Sequence, residues 1–176
     1  MLIPVGPPDH ARGPVESTLT VVQYGDYDCP HTRASTGILH GIEASLGVPV
    51  RFVYRHFPLR HIHANAQRVA QLAEAAEAQG RFWDVHERLM RIHHMAEAPA
   101  MEALAAAGLD MTALLERAAT PDVIERVERD VASGKAVGAH STPTWFFNGT
   151  LWDGHYDEAT LLARIREALG TSKGEP

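Results

Sequence analysis

The sequence contains very little cysteine: Cys29 is the only one among its 176 residues. This excludes a disulfide bond within the chain, and it excludes a zinc site built from several cysteine thiolates. Apolar residues make up 45% of the sequence, enough for a sizeable hydrophobic core, so folding does not depend on such cross-links. A chain with one free thiol suits a reducing compartment, where the thiol stays available for chemistry.

An excess of positive charge and long apolar runs are also missing. The formal net charge is −6 and no run rich in lysine or arginine occurs, which argues against a nucleic-acid partner. No apolar stretch is long enough to span a membrane, and the first residues lack the basic region and apolar run of a secretory signal. We therefore expect a cytoplasmic protein without a membrane segment of its own. Nothing in the sequence indicates an oligomeric state.

The pattern of apolar residues predicts a strand, a helix and a second strand near the N-terminus. Residues 1–16 are rich in proline and are expected to form an extended arm that does not pack. Residues 18–24 are β-branched and aromatic, which predicts a strand. Pro30 suits the first turn of the helix that follows and ends at Gly47. Residues 48–57 predict the second strand, which Pro58 terminates.

A helical block separates this unit from the remaining strands. Between about residues 60 and 138 the pattern is helical, without a convincing strand. The last helix of the block begins at Pro121, and we expect Ile124, Val127 and Val131 to be its buried face. Residues 144–147 and 150–153 predict a hairpin around an Asn-Gly turn, and a final helix begins near residue 157.

This order of elements is that of an α/β thioredoxin fold with a helical insertion between its two halves. One domain would cover residues 17–170, and a polar tail, residues 171–176, would follow. A doubly wound parallel sheet fits less well, because it would need strands inside the helical block.

The residues most suggestive of chemistry are Cys29, Pro30, His31 and Thr32, which lie between the first strand and its helix. A thiolate at a helix N-terminus faces unpaired N–H groups and the positive end of the helix dipole, and such cysteines are often reactive. His31, when protonated, would add to that stabilisation, whereas nearby carboxylates would oppose it. The alternative is that Cys29 is only a small buried apolar residue.

Residues 24–32 resemble the active-site region of the DsbA branch of the thioredoxin superfamily, where Cys-Pro-His-Cys or Cys-Pro-Tyr-Cys is usual. Four further segments resemble that family in the same order, namely residues 55–59, 82–89, 141–144 and 147–149. Together they cover most of residues 17–169. Similar domains also occur appended to bacterial sodium/proton antiporters.

The resemblance implies a role for each matching residue. Cys29 would be the attacking thiol, His31 would tune its ionisation, and Thr142 and Pro143 would form the wall against which a substrate backbone docks, with a cis bond before the proline. Thr32 departs from the family, because it replaces the resolving cysteine that releases the product. A two-thiol cycle within one chain is therefore excluded, although the Thr32 hydroxyl could still donate a hydrogen bond to a thiolate.

The sequence thus predicts a thiol–disulfide oxidoreductase that works with a single nucleophilic cysteine. Its partners would be a protein disulfide or a small thiol, with glutathione as a co-substrate and no bound cofactor. Two alternatives remain open. The chain could be a non-catalytic or regulatory binding module that kept the fold, or a glutathione-dependent isomerase or transferase.

Histidine is abundant, with eleven residues, and His61, His63, His93 and His94 suggest a metal site. No carboxylate pair with suitable spacing completes such a site, so we interpret them as solvated surface residues and expect no metal. Asp26, close to Cys29, is either a partly buried acid that relays protons or an exposed residue at a strand end.

Overall fold

The protein was analysed as a computed structural model, which describes residues 4–47, 49–152 and 157–171. Within them five strands form a sheet: β1 (His10–Arg12), β2 (Leu19–Gly25), β3 (Val50–His56), β4 (Thr144–Phe147) and β5 (Thr150–Trp152). Their order across the sheet is β1-β3-β2-β4-β5. The strands β2 and β3 are parallel, and the other neighbouring pairs are antiparallel.

Helices connect and cover these strands. α1 (Pro30–Leu46) links β2 to β3, and α7 (Glu158–Thr171) follows the hairpin. Between β3 and β4 lie α2 (Ala66–Ala75) with a 3-10 turn after it (Ala76–Gln79), α3 (Phe82–Met90), α4 (Glu97–Ala106), α5 (Met111–Ala118) and α6 (Pro121–Ala136). The predicted thioredoxin fold with a helical insertion is confirmed. Of the predicted elements, Val48, Asp153 and residues 172–176 lie outside the described residues.

Alternate residues of the strands serve two different cores, because successive side chains of a strand point to opposite faces. Val21 and Phe52 face the core shared with α1, α7 and most of the insertion. Val22 and Val53 face a smaller core that includes Val131 of α6. The sheet is therefore covered on both faces. The loops that carry the site lie at the ends of its strands.

The prediction that the arm of residues 1–16 does not pack is wrong for residues 9–12, and residues 1–3 lie outside the described part of the chain. Residues 10–12 form β1, which pairs antiparallel with β3. The Asp9 carboxylate accepts two hydrogen bonds from the buried Arg55 guanidinium, at 2.7 and 2.9 Å, and the ring of His10 stacks on Phe82 at a centroid distance of 3.4 Å. These partners are distant in the sequence, so the local proline-rich composition could not reveal them.

The helix α6 starts at the predicted proline, but its buried face differs by one residue from the prediction. Val127 and Val131 are buried as expected, whereas Ile124 is 36% exposed and Val123 is 2% exposed. Residues 123, 127 and 131 are spaced by four and lie on one face of a helix, and this is the face that meets the protein interior. Val127 and Val131 can share a helix face with either Val123 or Ile124. The apolar pattern alone therefore could not show which of these two neighbours is buried.

The hairpin between β4 and β5 has the predicted Asn-Gly turn. Asn148 has a φ of 48° and Gly149 a φ of 81°, so both central residues adopt the left-handed conformation of the tight hairpin turn. The Asn148 side chain also accepts a hydrogen bond from the backbone of Thr20, at 2.8 Å, which ties the turn to β2.

Candidate functional site

Cys29 lies where β2 leads into α1. Residues 26–28 form the connection, and Cys29 is the last residue before the helix, in an extended conformation with φ −79° and ψ 117°. Pro30 opens the helix, where its missing N–H costs no helical hydrogen bond. The helix start has no side-chain cap. The N–H groups of the first turn and the positive end of the helix dipole are therefore available to a negative charge on the Cys29 side chain.

The sulfur of Cys29 faces the loop that precedes β4. Its thiol donates a hydrogen bond to the carbonyl oxygen of Thr142, with an Sγ–O distance of 3.3 Å, and Cys29 is only 3% exposed. The two loops meet because β2 and β4 are antiparallel neighbours, with Tyr24 opposite Thr144. The fold thus brings together two site residues predicted from the sequence, although 113 positions separate them.

The loop residues Thr142 and Pro143 are both buried, and the peptide bond between them is cis. The Thr144 hydroxyl donates to the carbonyl oxygen of Ser141 at 2.8 Å and closes the loop. The Thr142 hydroxyl has no hydrogen-bond partner within the described part of the chain. The loop therefore presents its Thr142 carbonyl to Cys29 and retains one buried polar group without a partner.

His31 and Thr32, in the first turn of α1, differ in exposure. His31 is exposed and so accessible to solvent or to a bound molecule. Thr32 is fully buried, and its hydroxyl accepts a hydrogen bond from the backbone N–H of Asp26 at 3.4 Å. Among the described residues no hydrogen bond joins this hydroxyl to the Cys29 sulfur. Through its hydrogen bond to Asp26, Thr32 instead joins the first turn of α1 to the connection between β2 and α1.

Asp26 holds the loops around the reactive turn together. It is 2% exposed, so the alternative of an exposed aspartate is wrong. One carboxylate oxygen accepts from the N–H of Asp28 at 2.8 Å. The other accepts from the N–H of Leu59 at 2.9 Å and lies 2.8 Å from Nδ1 of His63. Leu59 and His63 follow β3, so the sequence around Asp26 contains no signal for this contact.

Two further contacts attach the reactive turn to the helical insertion. The Asp28 carboxylate accepts hydrogen bonds from the backbone and side-chain amides of Asn65, at 3.0 and 3.3 Å. The Arg33 guanidinium donates to the carbonyl oxygens of Tyr27 at 2.7 Å and His93 at 3.0 Å. Sequence reasoning missed these contacts, because Asn65 and His93 are remote from the turn. Together they fix the position of Cys29 from both sides.

A buried pair of tyrosines lies behind the turn. The Tyr27 hydroxyl is 3.0 Å from Nδ1 of His86. Burial raises the pKa of Tyr27 well above its ordinary value of 10, and the charge of Glu74 acts in the same direction. Burial likewise raises the pKa of Tyr54, whose ring centroid is 5.2 Å from that of Tyr27. Both phenols are therefore neutral at physiological pH; both rings pack in the interior, and the Tyr27 hydroxyl contacts His86.

Two cavities border the site. One, of about 450 Å³, extends between the loop after β3, the helix α6 and the residues that precede Thr142. Its lining residues are Phe57, Pro58, Leu59, Arg60, His61, Glu128, Val131, Lys135, Ala139 and His140. The other, of about 440 Å³, lies between α1 and the end of α3 and includes Pro30 and Arg33 in its lining. Cys29 itself lines neither cavity.

The histidines singled out in the sequence do not form a metal centre with one another. His61, His93 and His94 are exposed, and His63 contacts the Asp26 carboxylate. In the described part of the chain a different group has the required proximity: His10, His56 and Glu74 each offer one ligand atom, and these atoms lie within 4.8 Å of one another. Their sequence spacing is irregular, so no local motif indicated them.

The sheet order, the helical insertion and the cysteine at the start of α1 define a thioredoxin-like domain of the DsbA type. The sequence model of the family described as thioredoxin matches residues 6–167. The chain therefore belongs to the thioredoxin family.

Solved structures agree with this assignment. A thioredoxin-like oxidoreductase from Silicibacter pomeroyi DSS-3 is 24% identical, with a TM-score of 0.81 over 97% of this chain and 95% of that one. The catalytic domain of Proteus mirabilis ScsC is 19% identical, with a TM-score of 0.78 over 93% and 90% of the two chains. Oxidised BdbD from Bacillus subtilis is 20% identical, with a TM-score of 0.76 over 93% and 94%. At these identities the likeness shows a shared fold.

Curated relatives are more similar in sequence but much longer. The Na(+)/H(+) antiporter NhaA of Herminiimonas arsenicoxydans is 40% identical over 162 residues, which are 91% of this chain and 26% of that protein. NhaA 1 of Mycolicibacterium gilvum (strain PYR-GCK) is 34% identical over 174 residues, 97% of this chain and 28% of that protein. The chain thus spans about a quarter of these relatives. Among the described residues, no helix combines the length and apolarity that crossing a bilayer requires.

Proposed function

We propose that the chain is a thiol–disulfide oxidoreductase that uses Cys29 alone, with an external thiol completing the reaction. The observation that carries the proposal is the position of Cys29 at the uncapped start of α1, against the Thr142 carbonyl. Membership of the thioredoxin family supports the class of reaction. The buried Thr32 supports the single-thiol form, because a hydroxyl cannot displace a mixed disulfide.

In the first step, the Cys29 thiolate attacks one sulfur of a substrate disulfide. A new S–S bond forms between Cys29 and that sulfur, and the second substrate sulfur leaves as a thiolate that takes up a proton. The ionised Cys29 has no proton to donate to the Thr142 carbonyl, so the sulfur is no longer held there. Since Cys29 is 3% exposed, its side chain must rotate toward solvent for the attack.

In the second step, an external thiol performs the task of the missing cysteine. With a glutathionylated protein as substrate, Cys29 carries glutathione after the first step. A second glutathione thiolate attacks the sulfur of the bound glutathione, which yields oxidised glutathione and regenerates the Cys29 thiolate. The exposed His31 beside Cys29 can supply the proton that the substrate thiolate takes up in the first step, and positive charge near the Cys29 thiolate that the second step regenerates. Thr142 and Pro143 would hold the substrate backbone.

The same proposal includes the compartment and the partner. A free thiol without a resolving cysteine depends on a supply of reduced small thiol, which the cytoplasm provides. The substrate would be a protein that carries a mixed disulfide with a small thiol. A direct disulfide between two protein cysteines is less suitable, because the first step would leave a whole protein, and not a small thiol, attached to Cys29.

The test is glutathione-dependent reduction of a glutathionylated peptide, coupled to glutathione reductase and NADPH. We expect the wild type to exceed Cys29→Ser clearly, and intact-mass measurement after incubation with oxidised glutathione to show one glutathione on Cys29. We also expect Thr32→Cys to gain reduction of a protein disulfide, because a second thiol then releases the mixed disulfide within the chain. Equal rates for the wild type and Cys29→Ser would contradict the proposal.

A second candidate is a binding module without catalysis, favoured by the burial of Cys29 and its hydrogen bond to Thr142. The cavity of about 450 Å³ beside the loop would then hold an extended segment of a partner protein. In that case Cys29→Ser would leave the biological activity and partner binding intact, whereas Lys135→Glu, at the cavity wall, would weaken binding. The two candidates therefore differ in which substitution abolishes activity.

A further inference from the structure

His10, His56 and Glu74 converge on one point although they belong to three elements. His10 lies on β1, His56 ends β3, and Glu74 is on α2. Nε2 of His10 is 2.6 Å from Oε2 of Glu74, and Nε2 of His56 is 3.2 Å from the same oxygen. His10 is 7% exposed, His56 is fully buried, and the Glu74 side chain is 11% exposed.

We propose that these three residues form a binding site for a divalent transition-metal cation, with Zn²⁺ as the favoured ion. Two imidazole nitrogens and one carboxylate oxygen are a ligand set that zinc uses when it keeps a fourth position open. Both imidazoles direct Nε2 toward the same carboxylate, so a cation that replaces the shared protons meets all three groups at once. The site is formed only in the folded chain.

The distances of both imidazoles to Glu74 are close to those that coordination requires, and all three ligand atoms lie within 4.8 Å of one another. Zinc bonds of about 2.0–2.2 Å place the ligand atoms of a tetrahedron about 3.4 Å apart. The separation between His56 and Glu74 already fits, and that between His10 and Glu74 must lengthen by less than about 1 Å. The rings are well held, because His10 stacks on Phe82 and the His56 backbone N–H is bonded to Asp130 at 2.9 Å. A movement of the Glu74 side chain can supply this lengthening.

The surroundings of the two histidines differ. Oε2 of Glu77 is 3.7 Å from Nδ1 of His10, beyond hydrogen-bond distance, and a small movement of this exposed side chain would let it orient a metal-bound imidazole. Nδ1 of His56 has no hydrogen-bond partner in the described part of the chain. Glu74 and Glu77 together supply two negative charges, which balance a divalent cation. A fourth ligand would be water, because the described residues place no further ligand of this kind within the group.

A bound cation would join β1 to β3 and α2. Such a site stabilises the folded chain, because the unfolded chain does not hold the three ligands together. It lies apart from Cys29 and needs no thiol, so it is independent of the proposed exchange reaction.

The test uses the full chain with Cys29→Ser, which removes the only thiolate ligand, after dialysis against a chelator. We expect Co²⁺ to bind at one equivalent with the strong visible absorption of four-coordinate cobalt, and Zn²⁺ to displace it. We expect Zn²⁺ to raise the melting temperature, and above the dissociation constant the rise should follow the logarithm of the Zn²⁺ concentration. Glu74→Gln should lose both effects, and Glu77→Gln should weaken the affinity about tenfold.

Matched variants distinguish this site from the surface histidines. Glu102→Gln, an exposed glutamate on α4, and the pair His93→Ala and His94→Ala should bind Co²⁺ as the parent does. If Glu74→Gln does not fold, imidazole nitrogen spectra of the parent chain with Zn²⁺ should show shifts confined to His10 and His56. Absence of Co²⁺ absorption, binding that survives in folded Glu74→Gln, or shifts confined to His93 and His94 would overturn the proposal.

Discussion

Cys29 donates a hydrogen bond to the carbonyl oxygen of Thr142 across 3.3 Å, so the single thiol of the chain lies against a loop 113 residues further along. Only the backbone carbonyl of Thr142 takes part in this hydrogen bond, and its side-chain hydroxyl does not. That hydroxyl is buried without a hydrogen-bond partner among the described residues. The two functions of this threonine can therefore be separated by substitution.

We expect Thr142→Val to leave the free energy of unfolding unchanged or to raise it by about 1 kcal/mol, because it removes a buried polar group that gains no hydrogen bond. The control is Thr36→Val, since the Thr36 hydroxyl is buried and bonded to the Thr32 carbonyl at 2.8 Å. Its loss should cost about 1–3 kcal/mol. Urea denaturation measures both. If Thr142→Val and Thr36→Val lower the free energy of unfolding equally, the Thr142 hydroxyl has a hydrogen-bond partner, for example water.

Gly25, where β2 ends beside the reactive turn, has no room for a side chain. A β-carbon there would lie 2.5 Å from the ring of Tyr54 and 3.0 Å from the methyl group of Thr32. We expect Gly25→Ala to destabilise the fold by about 1–3 kcal/mol and to slow alkylation or exchange at Cys29, because Thr32 must shift. Chemical denaturation and the rate of thiol alkylation check the two effects.

Gly37 offers the matched control for this substitution. It lies within α1, and among the described residues a β-carbon there would meet nothing within 4 Å. Alanine favours a helix more than glycine does, so Gly37→Ala should raise the stability by about 0.5–1 kcal/mol and leave Cys29 unaffected. A comparable destabilisation by both substitutions would show that the space around Gly25 is not the cause.

The strands and helices were largely predictable, because each carries its own apolar period. The strand β4 has the predicted bounds, the helix α6 begins at the predicted proline, and the Asn148–Gly149 turn follows from the backbone conformation that these residues tolerate. β1 was not predictable in this way. It has three residues, and it is held by pairing with β3 and by the contacts of Asp9 and His10 with distant side chains.

The site was predictable only where a short motif and a family resemblance coincide. Cys29 and Thr142 were singled out on that basis, and the structure places them in contact. Two partners of the Asp26 carboxylate, Leu59 and His63, by contrast lie 33 and 37 residues away in a loop whose course depends on the whole fold. The group of His10, His56 and Glu74 was missed for the same reason, because metal-site patterns in a sequence depend on close spacing.

The ion pair between Asp9 and Arg55 provides a test of how firmly the N-terminal arm is held. The Arg55 side chain is 3% exposed, and it binds both carboxylate oxygens of Asp9. Burial acts to raise the pKa of Asp9, but the hydrogen bonds and charge of Arg55 outweigh it and hold that pKa below its ordinary value of 3.8. We expect Asp9→Asn to cost about 3–5 kcal/mol, because it leaves a buried guanidinium without its counter-charge.

The control for this loss is Asp122→Asn, which breaks the exposed pair between Asp122 and Arg117 at the start of α6. Solvent screens such a pair, so the stability should hardly change. Thermal and urea denaturation compare the variants, and hydrogen exchange at β1 should rise in Asp9→Asn before it rises in β3. If the two substitutions have equal effects, the arm does not depend on the buried pair.

Glu74 should make the stability of the metal-free chain depend on pH in the acidic range. Burial acts to raise the pKa of Glu74, but hydrogen bonds from His10 and His56, together with their charge, hold it well below its ordinary value of 4.5. The folded chain therefore keeps the carboxylate ionised where the unfolded chain takes up a proton. Its contribution is complete above pH 4.5 and is lost progressively as the pH falls below that value.

Glu74→Gln removes this group, so we expect the free energy of unfolding to fall less steeply between pH 4.5 and pH 3 in the variant than in the wild type. At pH 6 the variant should be less stable by about 1–3 kcal/mol, the contribution of a hydrogen bond to a charged group. Urea titrations with a chelator present measure both quantities without a bound cation. Glu102→Gln, which replaces an exposed glutamate on α4, should follow the wild-type curve. Parallel curves for the wild type and Glu74→Gln would mean that the Glu74 carboxylate titrates alike in the folded and unfolded chains.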